Sequence, residues 1–293
     1  MNERANRYCD HGFTLLELLV SIVLLLIIAG AAFRALSYYQ KNYLSTQFRV
    51  DMHGGTRAAL ELMTQEIGQA GLLSFTPRTI SAPVTANTSP QSITLSSVTD
   101  IFVGEKLQVD TGGLQEVVSV TAISGSTVTG IFNKNHASGT GVTAVGIFPQ
   151  GIMSSSTSTQ LKLFGDLFGD GTMMYAQYNC DTTVGTLSRS VTPVSASSMN
   201  PSQVLIANII PNPGGTACFQ YTTTSISGFT FVTSVAMTIS VRTDQRDPQT
   251  NAFVTMTKSF LNIAPRNVLA GVDDAQNAII SRLQPTPPNL PLS

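Results

Sequence analysis

The chain has 293 residues with 16 Lys and Arg against 17 Asp and Glu, so at a formal net charge of −1 no basic field exists to hold a polyanion, and no direct nucleic-acid binding is evident. Charged residues make up 11% against roughly 25% in an average soluble domain, the difference being filled by Ser, Thr, Gly and Asn, which points to an extracytoplasmic β-rich protein. Trp is absent and His numbers three, which leaves little material for a His-based metal centre or catalytic dyad.

From Phe13 to Phe33 the run FTLLELLVSIVLLLIIAGAAF carries one charge, Glu17. As a helix rising about 1.5 Å per residue it spans roughly 31 Å, which matches a bilayer core. It exceeds the apolar stretch of about 7–15 residues found in a cleavable secretory signal. An ionised carboxylate in such a segment costs about 2.5–3.5 kcal/mol. Glu17 therefore either snorkels from the first turn to the headgroups, where the helix dipole favours an anion, or needs a partner.

The stretch Gly12-Phe13-Thr14-Leu15-Leu16-Glu17, preceded by a short polar leader with Arg4 and Arg7, closely resembles the type IV prepilin signature. The resemblance implies that residues 1–12 are a leader cut off by a membrane-embedded prepilin peptidase between Gly12 and Phe13, and that Phe13 then becomes N-methylated. It also implies an assembly role for Glu17, whose carboxylate would neutralise the Phe13 amine of a neighbouring subunit. Glu3 and Asp10 weaken the positive-inside bias of the leader. The helix lacks the proline that major pilins commonly carry near its middle, and both departures favour a minor pilin or pseudopilin.

Residues 34–78 continue the helical pattern as an amphipathic half, with Leu36, Tyr39, Tyr43, Leu44, Phe48, Met52, Ala59, Leu62, Met63, Ile67 and Ala70 on an apolar stripe. Gly54-Gly55 interrupts it at about 1 kcal/mol per glycine, so one kinked helix and two separate helices both fit. Gly71 is the expected stop. The segment TRAALELMTQEIGQAG, residues 56–71, resembles the helix end of W-type minor pilins and of J-type pseudopilins of type II secretion.

Residues 79–150 begin as a linker at Ser81–Pro90 and continue as short β-like runs at Ile93–Leu95, Lys106–Val109, Glu116–Val120, Thr127–Ile131 and Val142–Ile147. A small all-β insertion is expected. Residues 151–267 carry the main β domain. There Phe229, Phe231, Val235, Met237, Ile239 and Val241 alternate with polar residues, as a half-buried antiparallel strand requires. Ala252–Ile263 gives its hairpin partner, and Ala264-Pro265-Arg266-Asn267 again resembles the W- and J-type ending. Residues 268–293 read as a C-terminal tail, Pro-rich at its end, where Pro285–Ser293, with Pro at 285, 287, 288 and 291, reads as extended or disordered.

Cys9 lies in the leader, so Cys180 and Cys218 remain as an even pair in an oxidising compartment, expected as a disulfide with two free thiols as the alternative. Asp166-Leu167-Phe168-Gly169-Asp170-Gly171 partly matches a calcium loop. Asp166, Asp170 and the sixth-position glycine agree with it, whereas Phe168 and Gln177 stand where ligands belong. A polar turn explains the same residues without metal. His53 and His136 have no evident partner in sequence and read as surface or turn residues.

The fold expected is α+β and pilin-like: a long N-terminal transmembrane and amphipathic helix, then an antiparallel β domain with a small all-β insertion. No nucleophile elbow, Walker loop, His-Glu-x-x-His or Cys-x-x-Cys is present, so no enzyme and no cofactor are expected. The resemblance implies a structural subunit of a type IV pilus-like filament, in its priming or tip complex, serving an adhesive or twitching pilus, DNA uptake or type II secretion. Its implied partners are prepilin peptidase, other minor and major pilins or pseudopilins, and an inner-membrane assembly platform with a separate ATPase. The implied location is the inner membrane, single-pass, with the C-terminal domain extracytoplasmic or incorporated into a filament. A pilus-displayed adhesin or ligand-binding protein using the insertion is the alternative.

Overall fold

The computed structural model describes residues 14–144, 146–288 and 290. The protein opens with helix α1, Leu15–Gln69, which continues through Gly54 and Gly55 without a break. Two compact units are distinguished: residues up to 51 with Thr243–Val254, and the remainder. In the first unit the residues of Thr243–Val254 meet α1 through polar groups: Ser45 Oγ donates to Asp247 Oδ2 at 3.2 Å, and Arg49 Nη2 lies 3.4 Å from the same oxygen. Gln249 Nε2 donates to Asn42 Oδ1.

In the second unit α1 ends where Gly71 takes a φ of +81°, a conformation that an L side chain resists. The helix therefore stops well short of residue 78. Space also demands glycine here, since a Cβ on Gly151 would lie 2.3 Å from Gly71 Cα. Backbone bonds complete the docking: Gly71 N–H donates to Phe164 O and Phe148 N–H to Gly71 O, both at 2.9 Å.

The insertion is built from β1 (Arg78–Thr79), β2 (Gln91–Thr94), β3 (Lys106–Val109), β4 (Glu116–Ser119), β5 (Ala122–Ser124), β6 (Thr127–Gly130) and β7 (Gly141–Ala144). They form two antiparallel sheets, ordered β1-β7-β3-β4 and β2-β6-β5. Alternation along each strand turns Leu107, Val109, Val118, Val128 and Val142 inward. The same apolar cluster takes in Phe148, Phe164 and Tyr175, so the insertion shares its core with the main domain.

That domain has β8 (Gln160–Gly165), β9 (Met174–Asp181), β10 (Thr186–Pro193) and β11 (Gln203–Ala207) in the order β11-β10-β9-β8. Its second sheet centres on β14 (Phe229–Arg242), with β12 (Ile209–Ile210) and β13 (Phe219–Ile226) bonded to it, and β15 (Thr255–Ile263) paired to it as well. Ala59, Leu60, Met63 and Ile67 of α1 are buried among Val235, Met237, Ile239 and Val241 of β14. Each such large aliphatic side chain contributes about 1.5–3 kcal/mol relative to leaving it in water.

Residues 268–284, expected as part of the C-terminal tail, are instead folded. Helix α2, Arg266–Gln276, buries Val268, Gly271 and Ala275. Leu283 then bridges to Ile147 in parallel, and the Gln284 side chain accepts from Lys106 N at 2.9 Å while donating to Lys106 O at 2.8 Å. Leu290 is buried in the insertion's core.

Candidate functional site

The functional signal of the sequence lies at the start of α1, and Gly12 and Phe13 lie outside the described residues. Thr14 and Glu17 form a reciprocal cap. The Glu17 carboxylate accepts from Thr14 N at 3.1 Å and from Thr14 Oγ1 at 2.9 Å, while Glu17 N–H donates to Thr14 Oγ1 at 3.3 Å. A Thr followed three residues later by Glu satisfies two orphan N–H groups of the first turn. Negative charge there also suits the positive end of the helix dipole. The sequence contained this signal, since Thr-x-x-Glu directly precedes the apolar run.

Beyond the cap the helix is apolar all round and uncovered, with Leu15 80% exposed and large aliphatic side chains open through Ile28. Among the described residues this is one helix long and apolar enough to cross a membrane. Tyr38, Tyr39 and Tyr43 stand exposed further along it, where aromatic side chains suit a membrane–water interface. A family model for the prokaryotic N-terminal methylation motif matches residues 7–33. The chain carries a prepilin-type methylation motif. The motif is consistent with a type IV pilin-like protein, and it implies processing by a prepilin peptidase and assembly with other pilins. The long apolar helix and the motif together fit membrane anchoring. No curated protein and no solved structure matches the chain.

Cys180 of β9 and Cys218, just before β13, are bonded to each other and buried, which ties the two sheets of the main domain together. Asp166 and Asp170 lie in the loop after β8. Asp166 Oδ1 accepts from Gly169 N at 2.7 Å and Asp170 N at 3.1 Å, and its Oδ2 accepts from Gly171 N at 3.0 Å. Asp170 Oδ1 accepts from Thr172 N. These bonds make a polar turn of the loop. Among the described residues no group of three or more His, Cys, Asp or Glu is placed to hold a metal.

His136 departs from the surface reading. It is buried in the insertion, with Nδ1 3.0 Å from Asp110 Oδ2 and Nε2 2.7 Å from Glu116 Oε1. Glu116 also accepts from Asn133 N and Lys134 N, which fixes its carboxylate at the mouth of β4. These partners sit 26 and 20 residues away, brought together by strand pairing that no local pattern encodes. A second missed group is Glu66, buried in α1 against Arg189 and Tyr178. Its signal was positional: three residues after Met63 and four before Ala70, it falls on the apolar stripe.

Around Asp247 the charge is equally well held. The Gln249 N–H, then Ser45 and Arg49, keep the Asp247 carboxyl below the usual carboxylate range. This fixes Thr243–Val254 against the helix within its unit.

Proposed function

We propose that the protein is a minor pilin or pseudopilin of a priming or tip complex, cut between Gly12 and Phe13 and assembled through Glu17. The observation that supports this reading is a carboxylate held at the first turn of an uncovered, wholly apolar helix. In low dielectric that carboxylate is a costly feature for a mere anchor, and a cationic amine on a neighbouring subunit offsets the cost. The Thr14 bonds matter to the test, because they give Glu17 a second, purely local use as a cap.

Glu17→Gln and Glu17→Ala separate the two uses. Gln serves a capping box as Glu does, but carries no charge, whereas Ala removes both. Abundance in the membrane fraction and co-purification of other pilins are compared for each. Both variants should reach the membrane at wild-type levels and both should lose the partner subunits. If Gln assembles like wild type while Ala does not, Glu17 is a helix cap and the assembly role is wrong. Intact-mass analysis of the same preparations should show loss of residues 1–12 and one added methyl.

A ligand-binding role for the insertion is the second reading. It is favoured by a cavity of about 540 Å³ where Asp100 and Phe102 face Ser195 and Pro287. Burial pushes the Asp100 carboxyl up, with Arg78 acting against it. Soluble glycans that quench no signal and shift no resonance of these residues would remove that reading.

A further inference from the structure

Strand β15 is the outer strand of its sheet, since it pairs with β14 and with no other strand among the described residues. The backbone donors and acceptors of alternate residues thus face outward along its far edge. Such an edge is a template for another strand. Its side chains are open too, Leu261 being 70% exposed. A bulge shapes it further: Val235 pairs with Ile263 but Met237 with Phe260, so one extra residue is accommodated, with Asn262 at a φ of +60°.

Between this edge and α1 runs a groove with two successive hollows. The first, about 410 Å³, lies between His53 and Arg57 on the helix and Lys258 and Phe260 on the strand. The second, about 460 Å³, continues past Asn262 to Arg266. Arg57, Lys258 and Arg266 give the lining a positive sign, and the nearest helical carboxylate, Glu61, is an exposed partner of Arg57 at 4.0 Å. The bulge and Lys258 blunt indiscriminate pairing of the edge, so a strand that joins it must bring charge of the opposite sign.

We propose that the groove between α1 and β15 docks an extended acidic segment of a partner protein, which adds a strand to the free edge and sets its carboxylates against Arg57, Lys258 and Arg266. Backbone pairing supplies affinity in this mode, and alternate side chains supply selection. The inference stands on the edge and its charges and does not depend on Glu17 or on which filament the protein serves.

The test uses the full chain in detergent with three synthetic nine-residue peptides: Glu alternating with Val, Lys alternating with Val, and the acidic peptide interrupted by proline. Amide hydrogen exchange and binding are read together. The acidic peptide should protect residues 255–263, lose affinity as salt rises, and outbind the other two. The Arg57→Glu, Lys258→Glu double variant changes exposed side chains only, and its circular dichroism should equal wild type. It should bind the acidic peptide on the order of tenfold more weakly and turn the preference toward the lysine peptide. Binding without protection of β15, indifference to the charge reversal, or no binding at all would overturn the proposal. So would sedimentation showing self-association that Leu261→Lys abolishes, because the edge would then belong to a second copy.

Discussion

The carboxylate of Glu66, on the buried face of α1, is held bidentately by the guanidinium of Arg189 on β10, with Nε 3.2 Å from Oε2 and Nη2 bonded to Oε1. Tyr178 on β9 donates its hydroxyl to Oε2. Glu66 is only 2% exposed, so each of these bonds replaces water the carboxylate has lost. Burial, and then the adjacent Glu66 charge, pushes the Tyr178 hydroxyl far up.

Removing one member should cost more than removing the pair. Glu66→Ala leaves a half-buried guanidinium without a counter-charge, and Arg189→Ala leaves a buried carboxylate. Each should destabilise by about 3–5 kcal/mol in urea unfolding of the detergent-solubilised chain. The Glu66→Leu, Arg189→Met double variant should recover most of that loss, since an apolar pair of similar size carries no desolvation cost. Additive losses in the double variant would show the two residues acting independently.

What could be read from the sequence was what periodicity and local chemistry encode. The stripe through Ala59, Met63 and Ile67 is buried as its spacing required, and the alternation from Phe229 to Val241 is one strand. The Lys106–Val109 run is a strand with the same bounds. Helix α2 escaped because Pro265 precedes it without a side-chain cap and Gly271 sits at its centre, a residue that weakens a helix yet lets Phe231 approach to 3.3 Å of where a Cβ would be. The burial of His136 escaped for another reason. Its two carboxylates are chosen by the pairing of β3 with β4 and by the bridge of His136 to Val84, and register of that kind is a property of the assembled sheets.

The Cys180–Cys218 bond closes a loop with a sequence separation of 38. On the chain-entropy model such a loop stabilises by about 3–4 kcal/mol. Cys180→Ala with Cys218→Ala should therefore lower Tm by roughly 10 °C, measured by differential scanning calorimetry of the solubilised chain. Non-reducing peptide mapping of exported protein should yield one linked peptide pair. Two freely alkylated thiols in native protein would contradict the bond.

His136 should govern the acid side of stability. Both ring nitrogens face carboxylates, Nδ1 toward Asp110 and Nε2 toward Glu116. The His136 bond, then the Thr111 N–H, hold the Asp110 carboxyl below its ordinary range. A depressed carboxylate contributes stability that is present above its unfolded value and disappears as pH falls through the folded one. In the His136→Ala variant this contribution should shrink to the part that the Thr111 N–H supplies, giving a lower unfolding midpoint at neutral pH and a shallower fall toward acid. Hydrogen exchange should quicken in β3 and β4 while β14 stays protected. Uniform quickening across both sheets would show that the cluster does not act locally.

Glu105 should act on the opposite limb. Its side chain is fully buried just before β3; Oε2 accepts from Phe102 N at 3.1 Å, and Oε1 has no hydrogen-bond partner among the described residues. Burial raises its pKa to about 8, with the Phe102 N–H working against that and Asp100 adding to it. The folded protein thus keeps a proton that the unfolded chain releases near pH 4.5. Stability is therefore greatest below the unfolded value and declines as pH rises toward 8, at about 1.4 kcal/mol per pH unit between the two. Glu105→Gln keeps the shape and the Phe102 bond but does not titrate. Urea unfolding at pH 5, 6.5 and 8 should show wild type losing a few kcal/mol across that interval, an order-of-magnitude figure set by the same slope, with the Gln variant nearly level and the more stable of the two at pH 8. Parallel curves for the two proteins would mean that Glu105 is ionised in the fold, and that the missing partner of Oε1 is supplied by water.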